Sequence, residues 1–318
     1  MAGGNQTPVK EFILLGFSGI PRAHAFLFLV FFTIYLLSMI GNTTLITLIR
    51  LDSRLHSPMY YFLSHLSCLD VCNLSVTVPK ILANLASQKS TISYKECMAQ
   101  MFFLMTSTGT ESILLAVMAY DRYAAICQPL HYNNLMSSQV YVSLAIFSWL
   151  GGILNSATHT ALATNLSFCG ANRIDHIFCD VPPLLKITCS DTYVNEMVIH
   201  IFSIFMAVGP FLLIVISYVY IVSAILRIRS NTSRRKAFST CSSHVAVVII
   251  HFGMANVNYN RPGADYSSEV NILVSTLYCI ITPMLNPLIY SFRNKDVKNA
   301  LGKVLGLQRK AFTSPKKQ

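Results

Sequence analysis

The sequence predicts an all-α membrane protein: seven transmembrane helices in a bundle, followed by a short amphipathic cytoplasmic helix. Three observations carry this. Only 12% of the residues are charged and 53% are hydrophobic, whereas a soluble chain carries about a quarter charged residues. Seven stretches of 23 to 30 residues hold at most one acidic or basic residue each, and about 20 apolar residues cross a hydrocarbon core. The lysines and arginines between the stretches fall unequally on the two sides.

The spans run 23–49, 55–79, 97–120, 140–164, 197–226, 237–260 and 270–292. The second contains Asp70 and the third Glu111; the other five contain no Asp, Glu, Lys or Arg. They must be helices, because lipid leaves no partner for an open backbone. Inner prolines such as Pro210 and Pro287 are tolerated where neighbouring helices re-satisfy the carbonyls they free. Met1 to Lys10 has no apolar core, so no cleavable signal is expected there. The division is a tail over 1–22, a seven-helix domain over 23–292, and an amphipathic helix and tail over 293–318. In that last segment Val297, Leu301, Val304 and Leu305 follow helical spacing between Lys295, Lys298 and Lys303. A short helix on an anionic leaflet is expected. No cysteine follows Cys279, so the tail offers no palmitoylation site.

The side bearing the C-terminus holds 16 of the 24 lysines and arginines and carries net +13; the other side balances to zero. Positive charge marks the cytoplasmic side. The expected topology is multi-pass, with the N-terminus extracellular and the C-terminus cytoplasmic. The net charge of +11 is thereby a topology signal and implies no nucleic-acid partner.

Four polar residues stand at inner depths: Asn42, Asp70, Glu111 and Asn286. Intramembrane acids are functional candidates. Facing one interior, Asp70 and Glu111 would hold Na⁺, share one proton, or serve as hydrogen-bonded packing polarity. Of nine cysteines, Cys97, Cys169, Cys179 and Cys189 lie in or beside short polar segments, and four cysteines allow three connectivities. Asn5 heads the sequon Asn5-Gln6-Thr7 on the outer tail and is the expected glycosylation site, with Asn165 the weaker candidate.

Five strings, in this order and on these helix ends, carry a resemblance. They are Leu55-His56-Ser57-Pro58-Met59-Tyr60-Tyr61 entering span two and Met118-Ala119-Tyr120-Asp121-Arg122-Tyr123 ending span three. Ser217-Tyr218 lies in span five. Lys236-Ala237-Phe238-Ser239-Thr240-Cys241-Ser242-Ser243-His244 opens span six, and Pro283-Met284-Leu285-Asn286-Pro287-Leu288-Ile289-Tyr290 closes span seven. Over roughly Phe12 to Leu307 the chain resembles the vertebrate odorant receptors of the rhodopsin-like G-protein-coupled class, in their tetrapod-type form.

The resemblance implies an odorant receptor at the plasma membrane, coupled to a stimulatory heterotrimeric G protein that raises cAMP, and no enzyme. It implies that Arg122 is held by Asp121 at rest and released on activation. Tyr123, Tyr218, Asn286, Pro287 and Tyr290 belong to the same activation machinery. Asp70 and Glu111 are similar to the family's buried acidic pair, and disulfides Cys97–Cys179 and Cys169–Cys189 are implied. Two features depart from the pattern. Span six reads His251-Phe252-Gly253-Met254 where the family more often shows Phe-Tyr-Gly-Thr, so Phe252 lacks a hydroxyl. The only tryptophan is Trp149, in span four.

Register places Met101, Leu104, Met105 and Thr108 on nearly one face of span three. Phe202 and Met206 lie four apart on span five, and Phe252, Ala255, Asn256 and Tyr259 form a face of span six. By resemblance these line the ligand site. The set is mostly apolar with a few hydrogen-bonding groups, and no acid lies between Cys97 and Thr110 to pair an amine. Small, largely hydrophobic, neutral ligands are expected. The rival readings are a non-olfactory chemoreceptor of the same class and a membrane transporter. A transporter predicts internal repeats, and the sequence shows no second copy of any motif.

Overall fold

A computed structural model describes residues 9–19, 21–87, 89–168, 172–259, 268–293 and 295–304. Seven of its helices are long and apolar enough to cross a membrane. Single helices α1 (His24–Leu51), α2 (Pro58–Ser87) and α3 (Tyr94–Cys127) come first, then a short α4 (Tyr132–Leu135) and α5 (Ser138–Thr164). After α6 (Val181–Ile187), span five is α7 (Tyr193–Ser203) continued through a π-helical turn into α8 (Gly209–Leu226). Span six is α9 (Asn231–Tyr259). Span seven is α10 (Ser268–Thr276), a second π-helical turn and α11 (Thr282–Arg293), and α12 (Lys295–Val304) follows.

Local chemistry sets these boundaries. Ser93 and Glu96 close a capping box at the start of α3, each side chain taking the other's backbone N–H. Pro58 opens α2, where its missing N–H costs nothing. After α1, Arg54 grips Asp52 through Nε at 2.9 Å and Nη2 at 2.6 Å, holding that carboxyl well below the usual carboxylate range. Both π-helical turns end two residues before a proline. Gly209 N–H reaches back to Ile204 O ahead of Pro210, and Thr282 N–H reaches back to Leu277 O ahead of Pro283. Proline lacks a donor and its ring crowds the carbonyl four residues earlier, so the wider turn relieves both problems.

The third helix is the hub: 72% of its apolar window is buried, against 11% for spans one and five. Most exposed residues of those outer spans are themselves apolar, including Phe26, Leu29, Ile40, Phe205, Leu213 and Val219. That is the pattern of a lipid-facing flank. Helices α3 and α5 approach through glycine. A Cβ added at Gly152 would collide with Thr110 Oγ1 and lie 2.7 Å from Thr106 O.

The N-terminal segment is more than a polar tail. Strand β1 (Glu11–Leu14) is the centre of a three-stranded sheet, antiparallel to β2 (Thr91–Ser93) and parallel to β3 (Arg173–Ile174). Phe12 pairs with Ile92 across the sheet and is fully buried, edge-on to Phe168. This sheet closes the N-terminal face of the bundle. At the opposite face, α12 buries Val297 and Ala300 in the main hydrophobic core, with Leu301 packed beside them. Val297 of its apolar stripe is therefore covered by protein. Leu305 lies outside the described residues.

Candidate functional site

At the end of α3, Arg122 donates through Nε and Nη2 to Asp121 Oδ2, and Tyr132 of α4 donates to Asp121 Oδ1 at 2.8 Å. Asp121 is fully buried and the Arg122 side chain is 13% exposed. Burial and the adjacent carboxylate push the Tyr132 phenol up, which keeps it a donor. Nearby, His244 Nε2 contacts Leu115 O at 3.1 Å, and Tyr218 Oη contacts His244 Nδ1 at 2.8 Å. A carbonyl only accepts, so Nε2 carries the hydrogen and, in the neutral ring, Nδ1 accepts the tyrosine O–H. One imidazole thus ties α9 to α3 and α8. Tyr123 packs edge-on against Tyr220, 5.9 Å between ring centroids.

Deeper in the bundle, Asn286 donates to both oxygens of Asp70, at 3.0 and 3.2 Å. Asn42 has a different task. Its Nδ2 donates to Pro283 O at 3.1 Å, the carbonyl whose helical partner would have been the missing N–H of Pro287. Tyr290 is buried with its hydroxyl unpartnered. Glu111 meets a residue that its own helix does not supply: His251 Nδ1 lies 3.4 Å from Glu111 Oε2. The contact is within ion-pair range but is not a hydrogen bond, since His251 Nδ1 has no hydrogen-bond partner. The other ring nitrogen, Nε2, is 2.8 Å from Ser112 Oγ, which itself donates to Thr108 O.

These atoms bear on whether a small cation fits. Glu111 Oε1, Asn286 Oδ1 and Asn73 Oδ1 are buried acceptors without partners, and oxygen donors suit a hard cation. Glu111 lies close enough to Asp70 for their charges to interact. Oxygen atoms of this kind are what a hard cation takes, and the His251 imidazole stands beside Glu111. Among the described residues no group of three His, Cys, Asp or Glu side chains gathers as a metal cluster.

The expected ligand-lining residues divide by depth. Met101 is fully buried beneath the sheet with Phe12, Cys97 and Cys179. Leu104 packs with Ile177, Phe178 and Tyr278. Met105 and Thr108 are half-buried, the latter donating to Leu104 O. Phe202 stacks edge-on with His159 at 5.4 Å, and Met206 sits over Gly109 and Gly151. Phe252 lies 5.4 Å from Phe211, and Ala255 is half-buried against the core. Asn256 is exposed, whereas Asn258 turns inward and accepts from Ser275 Oγ at 3.0 Å. The Tyr259 side chain, Asn5 and Cys169 lie outside the described residues.

The cover is held to the helices at two points. The Cys97–Cys179 disulfide is formed, with 5.4 Å between Cα atoms, and Gln100 Oε1 accepts Cys179 N–H at 2.8 Å. Cys189 is also disulfide-bonded. His176 Nε2 contacts Ser275 Oγ at 2.7 Å, linking the loop through Ser275 to Asn258. Sequence reasoning passed over His159, His176 and Asn258, and read His251 only as a departure from the family pattern. The signal for His159 and His251 was a histidine inside an otherwise uncharged span.

Comparison with known proteins agrees with this architecture. The olfactory receptor family model matches residues 31–308. Olfactory receptor 5AP2 of Mus musculus is 48% identical over 95% of this chain and 95% of its own. Olfactory receptor 5T7 of Mus musculus is 49% identical over 95% of this chain and 97% of its own. Olfactory receptor 5I1 of Homo sapiens is 48% identical over 95% of this chain and 96% of its own. With one family spanning seven helices, the Arg122 end and the buried acids alike, the chain belongs to the olfactory receptors, a family of receptors and not of enzymes.

Proposed function

We propose that this chain binds a small, largely hydrophobic, neutral odorant between α3, span five and α9, and activates a stimulatory heterotrimeric G protein to raise cAMP. The observation that carries the reading is the Asp121–Arg122–Tyr132 arrangement. Both Asp121 oxygens are engaged, so the Arg122 cation is held back from the face where a partner helix would dock. Moving α9 outward breaks the Tyr218–His244–Leu115 contacts and uncovers that arginine. A ligand that binds the opened arrangement better shifts the population toward it.

The ligand chemistry follows from the lining. Met105, Phe202, Met206, Phe252 and Ala255 supply apolar surface, with Thr108 and His159 as hydrogen-bonding groups for a carbonyl or hydroxyl. The charge asymmetry supports an extracellular N-terminus, a cytoplasmic Arg122 face and a plasma-membrane location. Na⁺ at Asp70 and Glu111 would favour the resting state, because Asn286 moves with span seven. Asn5 is the proposed glycosylation site.

The test is a panel of neutral odorants applied to cells expressing the full chain, with cAMP as readout. A dose-dependent rise, absent from Arg122→Ala at equal surface expression, is the expected result. A ligand-driven solute flux without cAMP would favour a transporter instead.

A further inference from the structure

The flank between α2 and α3, near the N-terminal face, carries an open groove of about 540 Å³. Val76, Pro79 and Ala83 line it from α2, and Ala99 and Phe103 from α3. The two alanines leave the space, and Phe103, half exposed at 49%, walls it on the lipid side. Gln100 forms its floor with both amide ends engaged, Nε2 on Val76 O and Oε1 on Cys179 N–H.

The rim is charged. Lys80 Nζ lies 3.1 Å from Glu96 Oε2, with side-chain exposures of 27% and 58%. Lys80 precedes the end of α2 by seven residues, so it sits roughly 10 Å inside that end at 1.5 Å per residue. Lys80 is also the first charged residue after the apolar stretch 55–79, the composition change expected where acyl chains give way to headgroups. Glu96 Oε2 is shared with Ser93 N–H, and Lys80 uses one of three ammonium hydrogens here. A half-exposed ion pair contributes little by itself, so opening it costs little.

We propose that this groove binds a zwitterionic phospholipid. One acyl chain lies along Val76, Pro79, Ala83, Ala99 and Phe103, the phosphate on Lys80 and the headgroup ammonium on Glu96. Charge complementarity selects this occupant. An anionic headgroup brings its negative charge beside Glu96 with nothing to offset it. A sterol offers one hydroxyl to two opposite charges and leaves both under-satisfied. A zwitterion replaces each member of the ion pair with a partner of the right sign. Because the groove floor is Gln100, which holds the loop at Cys179, a bound lipid braces the cover of the bundle.

The test uses the full chain in nanodiscs of equimolar phosphatidylcholine and phosphatidylglycerol, identical in both leaflets, so it does not depend on orientation. Lipids retained by the released receptor are counted by native mass spectrometry. Wild type is expected to retain one phosphatidylcholine in preference to phosphatidylglycerol by about fivefold or more. Glu96→Gln removes the charge that disfavours an anionic headgroup and abolishes the preference, whereas Lys80→Gln lowers retention of both lipids and leaves phosphatidylcholine ahead. The double exchange Lys80→Glu with Glu96→Lys keeps the preference, because a zwitterion can reverse its contacts. Ala99→Leu fills the groove and removes retention with the charges intact. Equal retention of both lipids by wild type overturns the proposal whether or not any variant folds. So does preferential retention of cholesterol in a second lipid mixture, or unchanged preference in folded Glu96→Gln.

Discussion

His251 Nδ1 stands 3.4 Å from Glu111 Oε2, with both side chains buried between α3 and α9. A carboxylate in a low-dielectric interior needs a compensating positive charge or a proton. Read as sequence, the inner polar residues Asn42, Asp70, Glu111 and Asn286 leave Na⁺, one shared proton and hydrogen-bonded packing as alternatives. The structure adds an imidazole from span six. That imidazole stands beside the Glu111 carboxylate, where a cation was one of those alternatives.

Removing the imidazole should expose any cation dependence. In permeabilised membranes at fixed ionic strength and pH, replacing Na⁺ by a bulky cation should shift agonist potency of His251→Phe by roughly fivefold, and that of wild type by less. Glu111→Gln should alter basal cAMP and show no Na⁺ shift. Equal Na⁺ shifts in wild type and His251→Phe would show that imidazole and cation do not compete.

Tyr132 acts on the resting state through Asp121. Tyr132→Phe deletes one charge-assisted hydrogen bond worth roughly 1.5–3 kcal/mol to the resting arrangement. Basal cAMP should rise several-fold at equal surface expression, with the maximal agonist response retained. Arg122→Ala should abolish the agonist response. Unchanged basal signalling in Tyr132→Phe would remove the tyrosine from the lock.

Two glycines separate close approach from helix propensity. Gly152→Ala forces a methyl against Thr110 and the Thr106 carbonyl, and should lower the thermal midpoint of purified receptor by several degrees. Gly253 has nothing within 4 Å of an added Cβ. Gly253→Ala should be neutral or stabilise by up to about 1 kcal/mol. Comparable melting of the two variants would show that α3 and α5 can separate freely.

The N-terminal strand is predicted to be structural. Phe12→Ala empties a fully buried site and should cost roughly 3–5 kcal/mol. It should reduce surface receptor, whereas Glu11→Ala, at an exposed position of the same strand, should not. Non-reducing peptide mapping should recover Cys97 joined to Cys179, and Cys169 joined to Cys189. Normal surface expression of Phe12→Ala would make the sheet an accessory.

The bundle was legible because lipid imposes a length and a composition on every crossing, and both are local properties of a chain. Charge asymmetry, the helix-ending Asp121-Arg122 pair and the intramembrane acids are local in the same sense. Strand β1 was not legible: four residues of mixed polarity carry no periodic signal, and their ladder partners lie about 80 and 160 positions away.

What the sequence by itself determined was the number of spans, the family and which buried groups were chemically out of place. What only the tertiary structure decided was which groups meet. Asn42 could be read as a cavity ligand until its amide was found on Pro283 O, the carbonyl left free by Pro287. His251 could be read as a departure from a pattern until α9 was set against α3. Hydrogen bonds and charge pairs between helices depend on rotation about each helix axis. That rotation is fixed by packing among all seven helices together and is written in no single one of them.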